Sequence, residues 1–273
     1  MPYASVDDID IRYEVRGRGA PLLLLPGIGA AGDMWGDPFL DALAGHLRLI
    51  VPDHRGVGGT RRGGGSYTVA RLAADAVAVL DAEGVLAAHV FGVSLGGMVA
   101  LQMAVDRPSR VRTLVLGGAT AGGPEAALPR RSLMEDLPRE GLLGRRVAAQ
   151  LVTPEFTARR TGLLTRLAVR ALARPVSPAL LREQLVAVSG CDLSDRLGEA
   201  LAPTLVMTGD RDSVFPASNA RALVRGIRDA RGALVKDAAH CFWWEAPERA
   251  AAAVVEFCTA ATPSTALMTV GGG

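Results

Sequence analysis

Residues Gly92-Val93-Ser94-Leu95-Gly96-Gly97 constrain the fold of this chain more than any other stretch. An apolar run, residues 87–91, leads into them, and a helix-forming stretch, 98–105, leads out. A G-x-S-x-G between a strand and a helix is the pattern of a nucleophile elbow, a turn so tight that its serine takes a strained backbone conformation. Strand and helix then pass so close that the residues two places either side of the serine must be small. Gly92 and Gly96 meet that demand, and Gly97 relieves the next helical contact. A serine that merely caps a helix needs no such bracket. The pattern therefore predicts Ser94 at the carboxyl edge of a sheet, with its hydroxyl presented as a nucleophile.

The rest of the chain supplies a matching rhythm. Short apolar runs at 22–25, 49–51, 90–91, 111–116, 205–208 and 233–235 read as strands buried on both faces, as in a parallel sheet. Ahead of them Ile9, Ile11, Tyr13 and Val15 alternate on one face, and Asp7-Asp8 suits the turn of an antiparallel hairpin. Helical patterns separate the runs. Residues 69–80 place Val69, Leu72, Ala73, Ala76, Val77 and Leu80 on one stripe behind Thr68 as N-cap, and 217–227 and 247–257 follow the same period. This alternation predicts an α/β fold with a doubly wound, mostly parallel sheet.

The rhythm breaks between 122 and 200, where no strand-like run occurs. Leu- and Arg-rich helical patterns at 142–151, 157–173 and 178–188, punctuated by Pro154, Pro175 and Pro178, predict a helical cap inserted into the sheet domain. The expected division is a core of 1–121 and 201–259, a cap of 122–200 and a flexible tail of 260–273. Arginines of the cap (130, 131, 139, 145, 146, 159, 160, 166, 170, 174 and 182) suit either an anionic substrate or a solvated face with local acidic partners. The solvated face is the commoner arrangement.

Composition removes several function classes. A chain of 273 residues, 49% hydrophobic, holds one large core. A net charge of +2 gives no case for nucleic acid or a membrane surface as partner. Cys191, Cys241 and Cys258 form no C-x-x-C pair, so neither a disulfide framework nor a zinc site is indicated. No basic start precedes an apolar segment, and no apolar run approaches bilayer length, so the expectation is a soluble, cytoplasmic protein.

A serine hydroxyl needs a base within hydrogen-bond reach and a third group that orients the base. In this strand–helix order the acid and then the histidine follow the serine. Of His46, His54, His89 and His240, only His240 lies after the elbow, just past a predicted strand. The acid belongs at a strand end between Ser94 and His240, where Asp210 and Asp212 follow the run 205–208. Spacing selects Asp212, leaving Asp210 to the turn backbone or an arginine. After the preceding strand the chain reads Gly117-Gly118-Ala119, so that alternative acid position is empty.

These segments together resemble the α/β-hydrolase superfamily, in its cap-bearing branch of small esterases, enol-lactonases, C–C hydrolases and cofactor-independent haloperoxidases. Besides the elbow, 53–60 (Asp-His-Arg-Gly-Val-Gly-Gly-Thr) resembles the family's D-x-R-G-x-G-x-S segment, with Thr60 in place of serine. Residues 209–216 resemble its G-x-x-D-x-x-x-P acid turn, and His240 with Glu245, Pro247 and Glu248 resembles its histidine loop. The resemblance spans about residues 20–257 and leaves the cap unmatched. It implies backbone oxyanion donors at Leu95 and Ile28. The family's His-Gly pair before the second donor is Pro26-Gly27 here, so a hydrogen bond from that histidine behind the oxyanion loop is expected to be missing. Asp53 and Arg55 are expected to hold the loop beside the site. Trp35 and Val93 are candidate substrate contacts, although for Trp35, as for Trp243 and Trp244, core packing is the ordinary role.

The expected activity is cofactor-free hydrolysis of a carboxylic ester or lactone of a small to medium, largely apolar molecule, through an acyl-enzyme on Ser94. The same fold also serves C–C bond hydrolysis, perhydrolysis and biosynthetic cyclisation, or a ligand sensor with little turnover. Serine in place of aspartate argues against epoxide hydrolase and dehalogenase chemistry.

Overall fold

The computed structural model describes residues 1–159, 161–260 and 268–270, with residues 161 and 268–270 described as backbone only. Its centre is a nine-stranded sheet in the order β1-β2-β4-β3-β5-β6-β7-β8-β9. The strands are β1 (Tyr3–Val6), β2 (Ile9–Arg16), β3 (Pro21–Leu25), β4 (Arg48–Pro52), β5 (Ala88–Val93), β6 (Val111–Gly117), β7 (Thr204–Gly209), β8 (Ala230–Val235) and β9 (Met268–Val270). β1 pairs antiparallel with β2 and β2 antiparallel with β4, while every other pairing is parallel. Six of these strands coincide with the apolar runs. All six residues of β5 are buried, which requires cover on both faces of the sheet.

That cover comes from α1 (Asp37–Ala44), α2 (Val69–Ala82) and α3 (Leu95–Asp106), and later from α9 (Ala217–Gly226), α10 (Phe242–Glu245) and α11 (Pro247–Thr259). α1 packs on α11, and α2 on α3. Thr68 caps α2 as expected, its hydroxyl accepting from the Arg71 N–H at 3.2 Å. α3 is buried from Leu95 through Val105, so it is apolar all round rather than striped.

Between β6 and β7 the chain forms α4 (Arg131–Glu140), α5 (Arg145–Leu151), α6 (Pro154–Arg159), α7 (Thr161–Ala173) and α8 (Pro178–Ser189). The helical pattern at 157–173 begins earlier, at Pro154, and is covered by α6 and α7 with residue 160 between them outside the described residues, while the one at 142–151 starts only after Gly144. α4 has no counterpart among the helical patterns of the sequence, because Pro138 and a dense set of charges obscure its apolar positions. A bridge between Gly122 and Asp192 and a 2.8 Å bond from the Leu193 N–H to the Ala121 carbonyl tie the ends of this excursion together. The tail also departs from a simple fraying end, since Met268–Val270 pairs with Ala233–Val235. Residues 261–267 and 271–273 of that tail lie outside the described residues. No helix among the described residues is long and apolar enough to cross a membrane.

Candidate active site

In a parallel sheet the loops after each strand emerge at one edge, and five of them converge here. β3 ends at Pro26-Gly27, β5 at Ser94 and β6 at Gly118, while the turns after β7 and β8 carry Asp212 and His240.

Ser94 has φ 55° and ψ −122°, a left-handed conformation rare for a residue with a side chain. The surroundings hold it there. Its N–H donates to the Gly117 carbonyl at 2.9 Å, and its own carbonyl accepts from the N–H groups of Gly97 and Met98. A methyl group on Gly92 would overlap the Gly96 carbonyl, and one on Gly96 would overlap the Leu25 carbonyl. The glycine bracket is therefore a steric requirement of the turn.

Of the two acid candidates, Asp212 reaches the histidine. Its Oδ2 accepts from His240 Nδ1 at 2.9 Å, and its Oδ1 accepts from the N–H groups of Val214 and Phe215 at 2.8 and 2.9 Å. The Asp212 and His240 side chains are 0% and 5% exposed, so this bond is sheltered from water. Asp210 instead accepts from the Ala238 N–H at 3.3 Å and stays with the turn backbone. The vacant acid position after β6 has a structural use. Gly118, at φ 47°, lies so near the pair that a Cβ there would stand 3.1 Å from both Asp212 Oδ2 and His240 Nδ1. Phe215 and Trp243 flank the imidazole, with ring centroids 5.9 and 6.4 Å away.

Ser94 and His240 line one cavity of about 60 Å³, roofed by Leu133, Leu137, Val147, Leu151, Leu185 and Val188 from α4, α5 and α8. Its floor includes Ile28, Met34, Trp35, Val93, Phe215 and Trp243. Both expected substrate contacts, Trp35 and Val93, thus face the cavity. Trp35 also packs on Phe39 and Phe91, at 5.6 and 5.3 Å, so packing and lining coincide in one side chain. Among the described residues, no carboxylate, arginine or lysine lines the cavity. Arg170 and Arg174 turn instead to Asp37 and Asp33, Arg131 to Glu135, and Arg146 to Asp136 and Glu140. Arg160 lies outside the described residues. Cys241 does line the cavity, but burial pushes its thiol well above the usual range, so it stays protonated and is no rival nucleophile.

The loops around the cavity are held by buried polar groups. Asp53 accepts from the Gly32 and Gly59 N–H groups and from Arg12, at 2.7, 2.8 and 2.8 Å. Thr60 does what a serine would do, accepting from the Arg12 N–H at 3.0 Å and donating to the Asp53 carbonyl at 3.1 Å. Arg55 makes a bidentate pair with Asp75 of α2 at 2.7 and 2.6 Å. Removing one member of such a buried pair costs about 3–5 kcal/mol.

Three residues with no foreseen role also shape the site. His54 donates from Nε2 to the Pro26 carbonyl at 3.0 Å, so a neighbouring strand steadies the loop that lacks the family histidine. Burial lowers the His54 pKa, which keeps the ring neutral. Gln184 of α8, fully buried, accepts from the Gly29 N–H at 2.8 Å and donates to Tyr67 Oη at 2.9 Å. Glu245 ties the histidine loop to the start of α6, accepting from the Thr153 N–H and hydroxyl at 2.7 and 2.6 Å and from the Ala239 N–H at 2.5 Å. Burial raises the Glu245 pKa against the lowering effect of these bonds.

The chain is similar to known proteins over most of its length. Residues 20–247 match the family model for the α/β hydrolase fold. The RutD protein of Azorhizobium caulinodans, a proposed carbamate hydrolase, is 32% identical over 263 residues, covering 94% of this chain and 98% of RutD. A hydrolase from Pseudomonas aeruginosa superposes with a TM-score of 0.80 at 31% identity, over 95% of this chain and 98% of its own. A thermophilic esterase from Thermogutta terrifontis does so at 0.80 and 26%, over 93% and 95%.

Proposed function

Because the chain belongs to the α/β hydrolase family, we propose that it is a serine hydrolase of small, neutral, largely apolar carboxylic esters or lactones. The observation that carries this reading is the buried 2.9 Å pair of His240 and Asp212, which shares one apolar cavity with the strained Ser94. In this mechanism His240 Nε2 takes the Ser94 proton as Oγ attacks the ester carbonyl. Asp212 Oδ2 holds the proton on Nδ1 and stabilises the imidazolium. The N–H groups of Ile28 and Leu95 receive the charge that develops on the carbonyl oxygen. His240 then protonates the leaving alcohol, and a water molecule activated by the same nitrogen releases the acid from Ser94.

The cavity also limits the substrate. A carboxylate buried in it would face no cation, and an unpaired buried charge is strongly disfavoured. Neutral esters are therefore preferred over acids and their half-esters. The full-length likeness to RutD favours a second reading, hydrolysis of a small carbamate on the same serine. The same absence of a cation argues for a neutral carbamate ester over a free carbamate anion.

The test is steady-state hydrolysis of p-nitrophenyl esters from acetate to decanoate, with Ser94→Ala in parallel. Turnover that is strongest for short chains and abolished in the variant supports the proposal. Comparing p-nitrophenyl butyrate with mono-p-nitrophenyl succinate adds one charge at similar length, and the succinate is expected to lose at least 100-fold in kcat/KM. Equal turnover of the two esters refutes the neutral-substrate reading. Turnover that survives in Ser94→Ala refutes the acyl-enzyme.

A further inference from the structure

The peptide group that carries the Ile28 N–H lies in a tight turn, Gly27 to Ala30, closed by a 3.3 Å bond from the Ala30 N–H to the Gly27 carbonyl. That closure is long and by itself a weak hold. The peptide groups on either side are each held by a buried side chain from a distant element. The Pro26 carbonyl accepts from His54, and the Gly29 N–H donates to Gln184, 155 residues away in sequence. Gln184 is 0% exposed, and its own orientation is set by the bond from Nε2 to Tyr67 Oη. Direct packing reinforces the contact, because Leu181, one helical turn before Gln184, stands 2.9 Å from where a Cβ on Gly29 would sit.

We propose that Gln184 is a positioning residue for oxyanion stabilisation, through which α8 sets the direction of the Ile28 N–H. This rests on the reading of Ile28 as an oxyanion donor. A donor is effective only when it points to where charge develops, and a displacement of about 1 Å lowers rates on the order of 100-fold. The arrangement has a consequence for specificity. Leu185 and Val188, one and four residues after Gln184, line the cavity. A substrate that presses on α8 therefore acts on the same helix that aims the oxyanion donor. Fit at the acyl or alcohol chain is then read out in kcat as well as in KM.

The test uses the full chain carrying Gln184→Met, of similar length but with no amide oxygen, and Gln184→Glu, which retains an acceptor for the Gly29 N–H. Hydrolysis of p-nitrophenyl butyrate is measured with thermal unfolding and with inhibition by a propyl trifluoromethyl ketone, whose adduct on Ser94 places a charged oxygen in the hole. The expected result for Gln184→Met is a kcat about 10- to 100-fold lower, a KM within twofold, and ketone inhibition weakened by the same factor as kcat. Gln184→Glu is expected to restore kcat to within about fivefold of the unaltered protein. Should Gln184→Met fail to fold, Tyr67→Phe frees the Gln184 amide and is expected to lower kcat by about threefold at constant KM. Unchanged kcat in the variants, or a loss the Glu variant does not restore, overturns the proposal. Absence of Ser94-dependent turnover in the unaltered protein overturns the hydrolase reading itself, so the two failures are distinguishable.

Discussion

Asp212→Asn tests the acid–base pair through an asymmetry visible in the hydrogen bonds. Oδ1 of Asp212 accepts from two backbone N–H groups, at 2.8 and 2.9 Å, and Oδ2 accepts from His240 Nδ1 at 2.9 Å. An amide at this position must keep its oxygen on the Oδ1 side, because turning its NH2 there would set it against two donors. The NH2 therefore points at His240 Nδ1 and makes that nitrogen the acceptor. The neutral ring must then carry its proton on Nε2, the nitrogen that takes the proton of Ser94 in the proposed mechanism. A wrong tautomer of this kind costs about 10⁴ in kcat, or about 5.5 kcal/mol of barrier, with the geometry intact. The assay is p-nitrophenyl butyrate hydrolysis, with thermal unfolding as the control. Asp212→Ala provides the contrast. It leaves the Val214 and Phe215 N–H groups buried without partners, costing about 3 kcal/mol, or about 5 °C in Tm. The Asn variant retains their acceptor and is expected to melt within about 2 °C of the unaltered protein. An Asn variant that keeps more than a tenth of the unaltered kcat refutes the argument from the tautomer. One that melts as low as the Ala variant refutes the assigned direction of the amide.

Two further outcomes follow from groups beside the pair. Gly118→Ala puts a Cβ at φ 47° and 3.1 Å from both Asp212 Oδ2 and His240 Nδ1, and is expected to lower stability by about 1–3 kcal/mol and kcat at least tenfold, read by calorimetry and steady-state rates. Burial raises the Glu245 pKa above its usual 4.5, so above that pH the native state holds more proton than the unfolded chain and stability falls as pH rises through the native pKa. Glu245→Gln removes this slope. Its destabilisation relative to the unaltered protein is therefore expected to shrink between pH 4 and pH 7 in denaturant titrations, and a gap that widens refutes the assignment.

The sheet was legible because its signals are local. The leucine run 22–25 and the Leu-Val-Leu end of the run 111–116 can be buried on both faces only inside a parallel sheet, and the two runs became β3 and β6. The meeting of Asp212 with His240 follows from the order of the chain and the location of both residues just past strand ends. Thr68 at the head of α2 needed only its own neighbours to act as a cap. The roof was less legible, since an amphipathic pattern gives a helix but not its partner. Arg170 and Arg174 read alike in sequence with the other arginines of the cap, and only the fold set them against Asp37 and Asp33. Asp75 is hidden in an alanine-rich helix, and its partner Arg55 lies 20 residues away on another loop.

His54 and Gln184 show where that legibility ends. His54 sits inside a recognisable segment, yet its partner is a carbonyl on the adjacent strand's loop, and strand adjacency runs β4-β3-β5 rather than in chain order. For Gln184 a signal did exist. It falls on the same helical stripe as Leu180, Leu181 and Val188, where an amide has to be buried. A buried amide left unpaired costs several kcal/mol, so its place on an apolar stripe implies polar partners in the surface beneath. The sequence contains that implication but not the partners, because the Gly29 N–H and Tyr67 reach Gln184 only once α8 has closed over the edge of the sheet. The energetic consequence runs both ways. A roof of leucine and valine alone would be tolerant of sliding, since apolar contacts have no direction. One fully buried amide with two fixed partners gives α8 a preferred seat on the turn that carries Ile28, and that is why a residue outside the cavity lining is expected to govern rate more than affinity.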